Sequence, residues 1–95
     1  MAYGKKRDRY ELIGDILETI RPGVRKTRLM YQANLSFDLA NKYIEELEMK
    51  GLIIKRADMF FLTERGKLVL DKLRKYNENK RSIDQITDSL EYELK

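Results

Sequence analysis

Apolar positions recur at helical spacing from the start of the chain. Leu12, Ile13, Ile16, Leu17 and Ile20 follow an i, i+1, i+4, i+5, i+8 pattern, which is one buried helical face. Asp8 stands where an N-cap is wanted, and Arg21-Pro22-Gly23 ends the pattern with a helix-disfavouring Arg-Pro step and a turn residue. Gly14 costs this helix about 1 kcal/mol relative to alanine, so a second element is expected to pack closely against it. A short second helix is predicted over residues 26–33, burying Leu29, Met30 and Ala33. Asn34-Leu35-Ser36 breaks it: Asn tolerates the left-handed conformation that ends a helix, and Ser36 caps the next one. That third helix is predicted from Phe37 to about Lys50, burying Leu39, Ala40, Tyr43, Ile44 and Leu47, with Gly51 past its end. The runs Leu52–Arg56 and Met59–Leu62, split by Ala57-Asp58, read as a β-hairpin. Thr63 then caps a last helix that meets no proline before the end of the chain.

Helix, helix, turn, helix, hairpin, helix is the order of a winged helix-turn-helix, an α+β, mostly helical fold. An unrelated small α+β domain with the same elements is the alternative. The expected division is a head over residues 8–75, a long C-terminal helix over 63–95 that overlaps it, and a flexible basic arm over 1–7.

The last helix outruns the head. Along it Val69, Leu73, Tyr76, Lys80, Ile83, Thr87, Leu90 and Leu94 alternate at spacings of four and three, the heptad rule of a coiled coil. A solvated amphipathic tail is the alternative, but an isolated helix of this length is marginal in water. A parallel pair would set Lys80 against its own copy. An antiparallel pair instead matches Val69 with Leu94 of the partner subunit and Leu73 with Leu90 of the partner subunit. It also brings the acidic end (Asp84, Asp88, Glu91, Glu93) beside the basic stretch Arg65, Lys67, Lys72, Arg74 and Lys75. An antiparallel coiled-coil homodimer with a head at each end is therefore expected.

Composition narrows the chemistry. The chain has 95 residues with neither cysteine nor histidine. Disulfides, thiolate metal sites, imidazole ligands and Ser–His or Cys–His nucleophile pairs are thus excluded. No Gly-rich phosphate loop or metal-ligand spacing is present, so neither an enzyme nor a cofactor is expected. Short apolar runs and an N-terminus without an apolar stretch point to a cytoplasmic, chromosome-associated protein that meets no membrane and takes no small-molecule substrate. Charge is dense (38% of residues), with 20 Lys and Arg against 16 Asp and Glu for a net +4, and it is blocked. Residues 1–28 carry 8 basic and 4 acidic groups, residues 29–51 carry 2 and 4, residues 52–81 carry 9 and 4, and residues 82–95 carry 1 and 4.

A helix-turn-helix leads with the exposed N-terminal positions of its third helix: here Phe37, Asp38, Asn41, Lys42 and Glu45, with Ser36 able to bond a phosphate. Asn41 suits an adenine edge, and Lys42 a guanine or phosphate. Phe37 either joins that surface or packs on the second helix. Tyr31 is expected in the core more than on the surface, and Gln32 is a candidate polar contact. The third helix is itself acidic, because Asp38, Glu45, Glu46 and Glu48 outnumber Lys42 and Lys50. Positive charge lies instead on Arg25, Lys26 and Arg28, on Lys55 and Arg56 at the hairpin, and on Lys5, Lys6, Arg7 and Arg9, expected to form a flexible arm. That distribution favours phosphate clamping over base reading.

Lys26-Thr27-Arg28-Leu29-Met30-Tyr31, Ala33-Asn34-Leu35-Ser36, Tyr43-Ile44, Gly51-Leu52-Ile53, Leu62-Thr63-x-x-Gly66 and Leu73-Arg74-Lys75-Tyr76-Asn77-Glu78 together resemble the small "class a" winged-helix nucleoid proteins of thermophilic archaea. The resemblance spans about residues 9–90. It implies a homodimer joined by an antiparallel coiled coil of the last helices. It also implies double-stranded DNA binding with little sequence preference, and a part in compacting or bridging chromosomal DNA. A sequence-specific transcription regulator shares the fold and is the nearest alternative. A protein-interaction module using the acidic third helix is an alternative of another class.

Overall fold

The computed structural model describes residues 7–95, so Lys5 and Lys6 of the expected arm lie outside the described residues. The elements run α1 (Arg9–Ile20), β1 (Val24–Arg25), α2 (Lys26–Gln32), α3 (Phe37–Met49), β2 (Ile53–Arg56), β3 (Met59–Leu62) and α4 (Glu64–Glu93). Local chemistry accounts for most boundaries. Asp8 accepts from the Glu11 amide while the Glu11 side chain accepts from the Asp8 amide, a reciprocal capping box. Ser36 and Thr63 cap α3 and α4 in the simpler way, each accepting from the amide three residues on. Asn34 takes the left-handed backbone between α2 and α3 (φ 56°), as expected of a residue whose short amide tolerates it.

One core holds these elements together. Ile16, Leu17, Ile20, Leu29, Leu47 and Leu70 are its fully buried side chains, closed over by Val24, Ile53, Phe60 and Leu62 from the sheet. The sheet is antiparallel in the order β1-β3-β2, and its two-residue first strand went unread in the sequence. Gly14 does pack closely, since a Cβ there would lie 2.8 Å from Asn77 Nδ2 and 3.7 Å from Leu73 Cβ on α4.

Two expectations are corrected. Tyr31 is 87% exposed, because it lies two residues from the buried Leu29, on the opposite face of α2. Arg9 belongs to no free arm: it opens α1, pairs with Glu46 on α3 and lies 5.9 Å from the Tyr43 ring centroid. Arg7 likewise pairs with Asp15 at 2.8 Å.

The residues of the expected α4 seam are placed on more than one side of the helix. Gly66, Leu70, Leu73, Asn77, Lys80 and Asp84 form the inward stripe at spacings of four and three, all buried or half-buried. Leu73 is core, Val69 packs against it, and the Lys80 ammonium bonds Asp8 and Glu11, both at 2.8 Å. The Tyr76 hydroxyl donates to Asp8 at 2.5 Å, and its ring meets Tyr10 edge-on. The exposed apolar stripe is Tyr76, Ile83, Ile86, Leu90 and Leu94, turned about 100° from the first on the helical wheel. Ile86 lies on it and Thr87 beside it. Leu73 is thus buried in the head, with Val69 half-buried against the core and Lys80 bonded to the start of α1.

Candidate nucleic-acid interface

The helix-turn-helix is built from α2 and α3, and the β2–β3 hairpin flanks it as a wing. Sheet register decides which wing cations act together. Arg25, Met59 and Arg56 are opposite one another across the three strands, as are Val24, Phe60 and Lys55. Residues directly opposite share a face, and neighbours along a strand alternate. Arg25 and Arg56 therefore flank Met59 on one side of the wing. Lys55 projects on the other side, where its ammonium lies 5.9 Å from the Phe60 ring centroid.

That second side, with Arg25 reaching its edge from the end of β1, closes a concavity of about 430 Å³ between the wing, α2 and the start of α3. Lys26 bridges its far wall. Its ammonium stands 3.8 Å from the Phe37 ring centroid and donates to Asn41 Oδ1. Asn41, expected to read an adenine, has its carbonyl engaged by Lys26 in the free protein. Phe37, left open between two roles, is 59% exposed and faces this concavity.

On α2, Arg28 and Gln32 stand four apart and are exposed, so they share one face, and the exposed Arg25 is the N-cap residue that leads into them. The Ser36 hydroxyl oxygen accepts from the Leu39 amide at 3.1 Å, leaving its O–H as a donor. Lys42 is exposed, with its ammonium 5.9 Å from the Tyr43 ring.

The acidity of α3 is unevenly placed. Asp38, Lys42, Glu45 and Met49 form its outermost ridge by spacings of four, three and four, all exposed. Glu46 turns the other way, into a clamp with Arg9 and with Lys50 at 2.8 Å, which lowers its carboxyl to about 2. The carboxylates on the outermost ridge, Asp38 and Glu45, outnumber its one lysine, so that ridge is net acidic while Arg25, Arg28 and Arg56 lie on the α2 and wing side. Among the described residues no group of His, Cys, Asp or Glu could hold a metal ion. None of the helices is long and apolar enough to cross a membrane.

The sequence grouped Lys55 with Arg56 because they are adjacent, and missed the Arg25–Arg56 pairing because β1 is only two residues long. Phe37 beneath Lys26 had a signal available: an aromatic at the first position of a helix, in a chain whose cations cluster nearby.

A three-helix head with a capped turn and a three-stranded wing is the architecture of the winged helix-turn-helix proteins. Residues 6–81 match that family, and the chain belongs to it. Among relatives, an uncharacterized protein of Methanocaldococcus jannaschii is 44% identical over 69 residues, covering 72% of this chain and 71% of its own. A second uncharacterized protein of the same organism is 35% identical over 69 residues, covering 72% of this chain but only 33% of its own. Among solved structures, Sso10a-2, a DNA-binding protein from Sulfolobus solfataricus, superposes with a TM-score of 0.81 at 25% identity, over 94% of this chain and 98% of its own.

Proposed function

We propose that this chain binds double-stranded DNA with little sequence preference, chiefly through phosphates, and that two copies joined by α4 compact or bridge DNA as a two-headed homodimer. The observation that carries the reading is the division of charge on the head. The outermost ridge of the recognition helix is net acidic, whereas Arg25, Arg28 and Arg56 crowd the α2 and wing side. Gln32, Ser36 and Lys42 complete the phosphate contacts at the rim, with Lys26 and Lys55 behind them. Such contacts set position without reading sequence. The likeness to Sso10a-2, itself a DNA-binding protein, supports the same reading.

The exposed stripe on α4 supports the second copy. Ile83 and Ile86 are each 60% exposed and Leu90 is 50% exposed, an arrangement that is marginal for a lone helix in water. With Val69, Leu73 and Lys80 engaged inside the head, the pair is proposed to overlap from Tyr76 onward. Ile83 then meets Ile86 of the partner subunit, and Asn79 meets Leu90 of the partner subunit. The acidic positions Asp88, Glu91 and Glu93 approach the cations at the head end of the partner's helix, each exposed pair contributing about 0.2–1 kcal/mol. Thr87 and Leu94 border this seam. Since α4 has 30 residues, the rod is about 45 Å long at 1.5 Å per residue, enough to hold two heads on separate duplexes.

Competition on random duplex DNA tests the reading. A random duplex should displace any genomic duplex at equal concentration, and affinity should fall by roughly 10³–10⁴ between 50 and 200 mM salt for about 6–8 phosphate contacts. A genomic site that random DNA fails to displace would establish a sequence-specific regulator instead. The exposed acidic ridge Asp38, Glu45 favours one other reading, a protein-docking surface, and absence of any shift on DNA at low salt would favour it.

A further inference from the structure

The concavity between the wing, α2 and the start of α3 is more than a phosphate site. Its floor is apolar and largely aromatic (Met30, Phe37, Phe60), while Arg25, Lys26 and Lys55 stand around its rim. One carboxylate, Asp58, reaches its edge. An apolar floor gives a phosphate nothing, and a ring of cations gives a neutral apolar group nothing. An intact duplex offers phosphates and groove edges but keeps its base faces stacked inside. A duplex lying on Arg25 and Arg56 would therefore leave the floor wet.

We infer that this concavity takes one unpaired nucleotide of a DNA strand, its base on the Phe37 side of the floor and its phosphates among Lys26, Lys55 and Arg25. The Phe37 ring is more than half exposed, and in the free protein the Lys26 ammonium occupies its face at 3.8 Å. A base has the π face to replace that ammonium, and the long lysine stem carries the charge outward to the flanking phosphate. Stacking of this kind is tolerant of base identity, because every base has a π face. The Lys26–Asn41 bond is released in the same movement, freeing the Asn41 amide for the base edge. The protein would then favour duplex ends, gaps and bulges over continuous duplex.

The inference rests on the DNA-binding reading only in using the same face of the head. Its test compares the full-length protein on a short blunt duplex, the same duplex with a thymine overhang, and the same duplex with an abasic overhang that keeps the phosphates. The thymine overhang should bind about 10-fold tighter than the abasic one, the scale of one base–aromatic stack. In Phe37→Ala that ratio should fall to about 1 whatever happens to blunt-duplex affinity. Equal binding of the thymine and abasic overhangs by the unaltered protein overturns the inference, as does a Phe37→Ala protein that keeps the full ratio. The first comparison needs no variant, so a folding defect cannot obscure it. Loss of blunt-duplex binding with the thymine preference intact would instead overturn the duplex reading and leave this one standing.

Discussion

Gly66 admits no side chain. A Cβ there would lie 2.0 Å from the Leu52 carbonyl oxygen, where backbone of the wing approaches the first turn of α4. No rotamer can relieve a backbone contact, so Gly66→Ala should cost about 3 kcal/mol, the upper range of an overpacked core, and lower Tm by roughly 12 °C or more. Gly51 is the control. It has φ +73° but nothing within 4 Å of an added Cβ, so Gly51→Ala meets only the left-handed penalty of about 1–2 kcal/mol. Thermal melts of the two variants separate packing from backbone strain, and a Gly51→Ala protein less stable than Gly66→Ala would refute the packing account. The hairpin turn offers the reverse change. Ala57 sits at φ 54°, a conformation glycine adopts without steric cost, so Ala57→Gly should stabilise the wing by about 0.5–1 kcal/mol. These arguments live on single backbone positions, and among them only Gly66, in the first turn of α4, stands in a recognisable motif, Leu62-Thr63-x-x-Gly66.

Among the elements, α4 presents one face packed into the head and another that is apolar and exposed, and this is where the sequence was least legible. The heptad spacing joins Leu73 and Lys80 to Ile83 and Leu90, but spacing alone does not show which of these residues the head itself engages. Lys80 reads in the sequence as a polar member of the seam, and in the structure it fastens α4 to the N-cap of α1 through Asp8 and Glu11. The caps, the α1 and α3 core faces and the hairpin were legible because each depends on a few neighbouring residues. The strand β1, the exposure of Tyr31 and the alignment of Arg25 with Arg56 were not, because each is fixed by contacts distant in sequence. The division of α4 predicts two separable defects. Leu73→Ala removes a buried side chain and should destabilise the head by about 2–4 kcal/mol, seen as a lower Tm. Ile86→Asp, on the 60% exposed side, should leave the helical circular dichroism of the head intact while shifting sedimentation from a dimer toward the 11.4 kDa chain. If Ile86→Asp melts the head and leaves the mass unchanged, the assignment of the two faces is reversed.

Across the whole molecule, α1 is tied to α3 and α4 by carboxylates. Lys80 and Tyr76 hold the Asp8 carboxyl well below its ordinary value, and Lys80 does the same to Glu11. Arg74 lowers Glu18 through paired contacts at 2.5 and 2.8 Å, and Arg9 with Lys50 lowers Glu46 from 4.5 to about 2. A carboxylate depressed in the folded state binds fewer protons there than in the unfolded chain, so it stabilises the fold above its unfolded value and loses that effect on acidification. With no histidine or cysteine in the sequence, no side chain has an ordinary value between pH 5 and 8. Thermal stability should therefore be level across that interval, begin to fall near pH 4.5 and keep falling toward pH 2. Lys80, whose partners raise it above 10.5, sets the opposite limb, fully present at neutral pH and lost as pH climbs past its folded value. These side chains are partly exposed, so salt should soften the acid limb. The combined variant Asp8→Asn, Glu46→Gln should flatten it, at the expense of stability at pH 7. Melting curves from pH 2 to 8 check this: an unaltered acid limb in that variant would mean that the clamps on α1 do not hold the head together. DNA affinity should follow a different rule, falling steeply with salt through phosphate contacts while changing little between pH 5 and 8, because the sequence holds neither histidine nor cysteine.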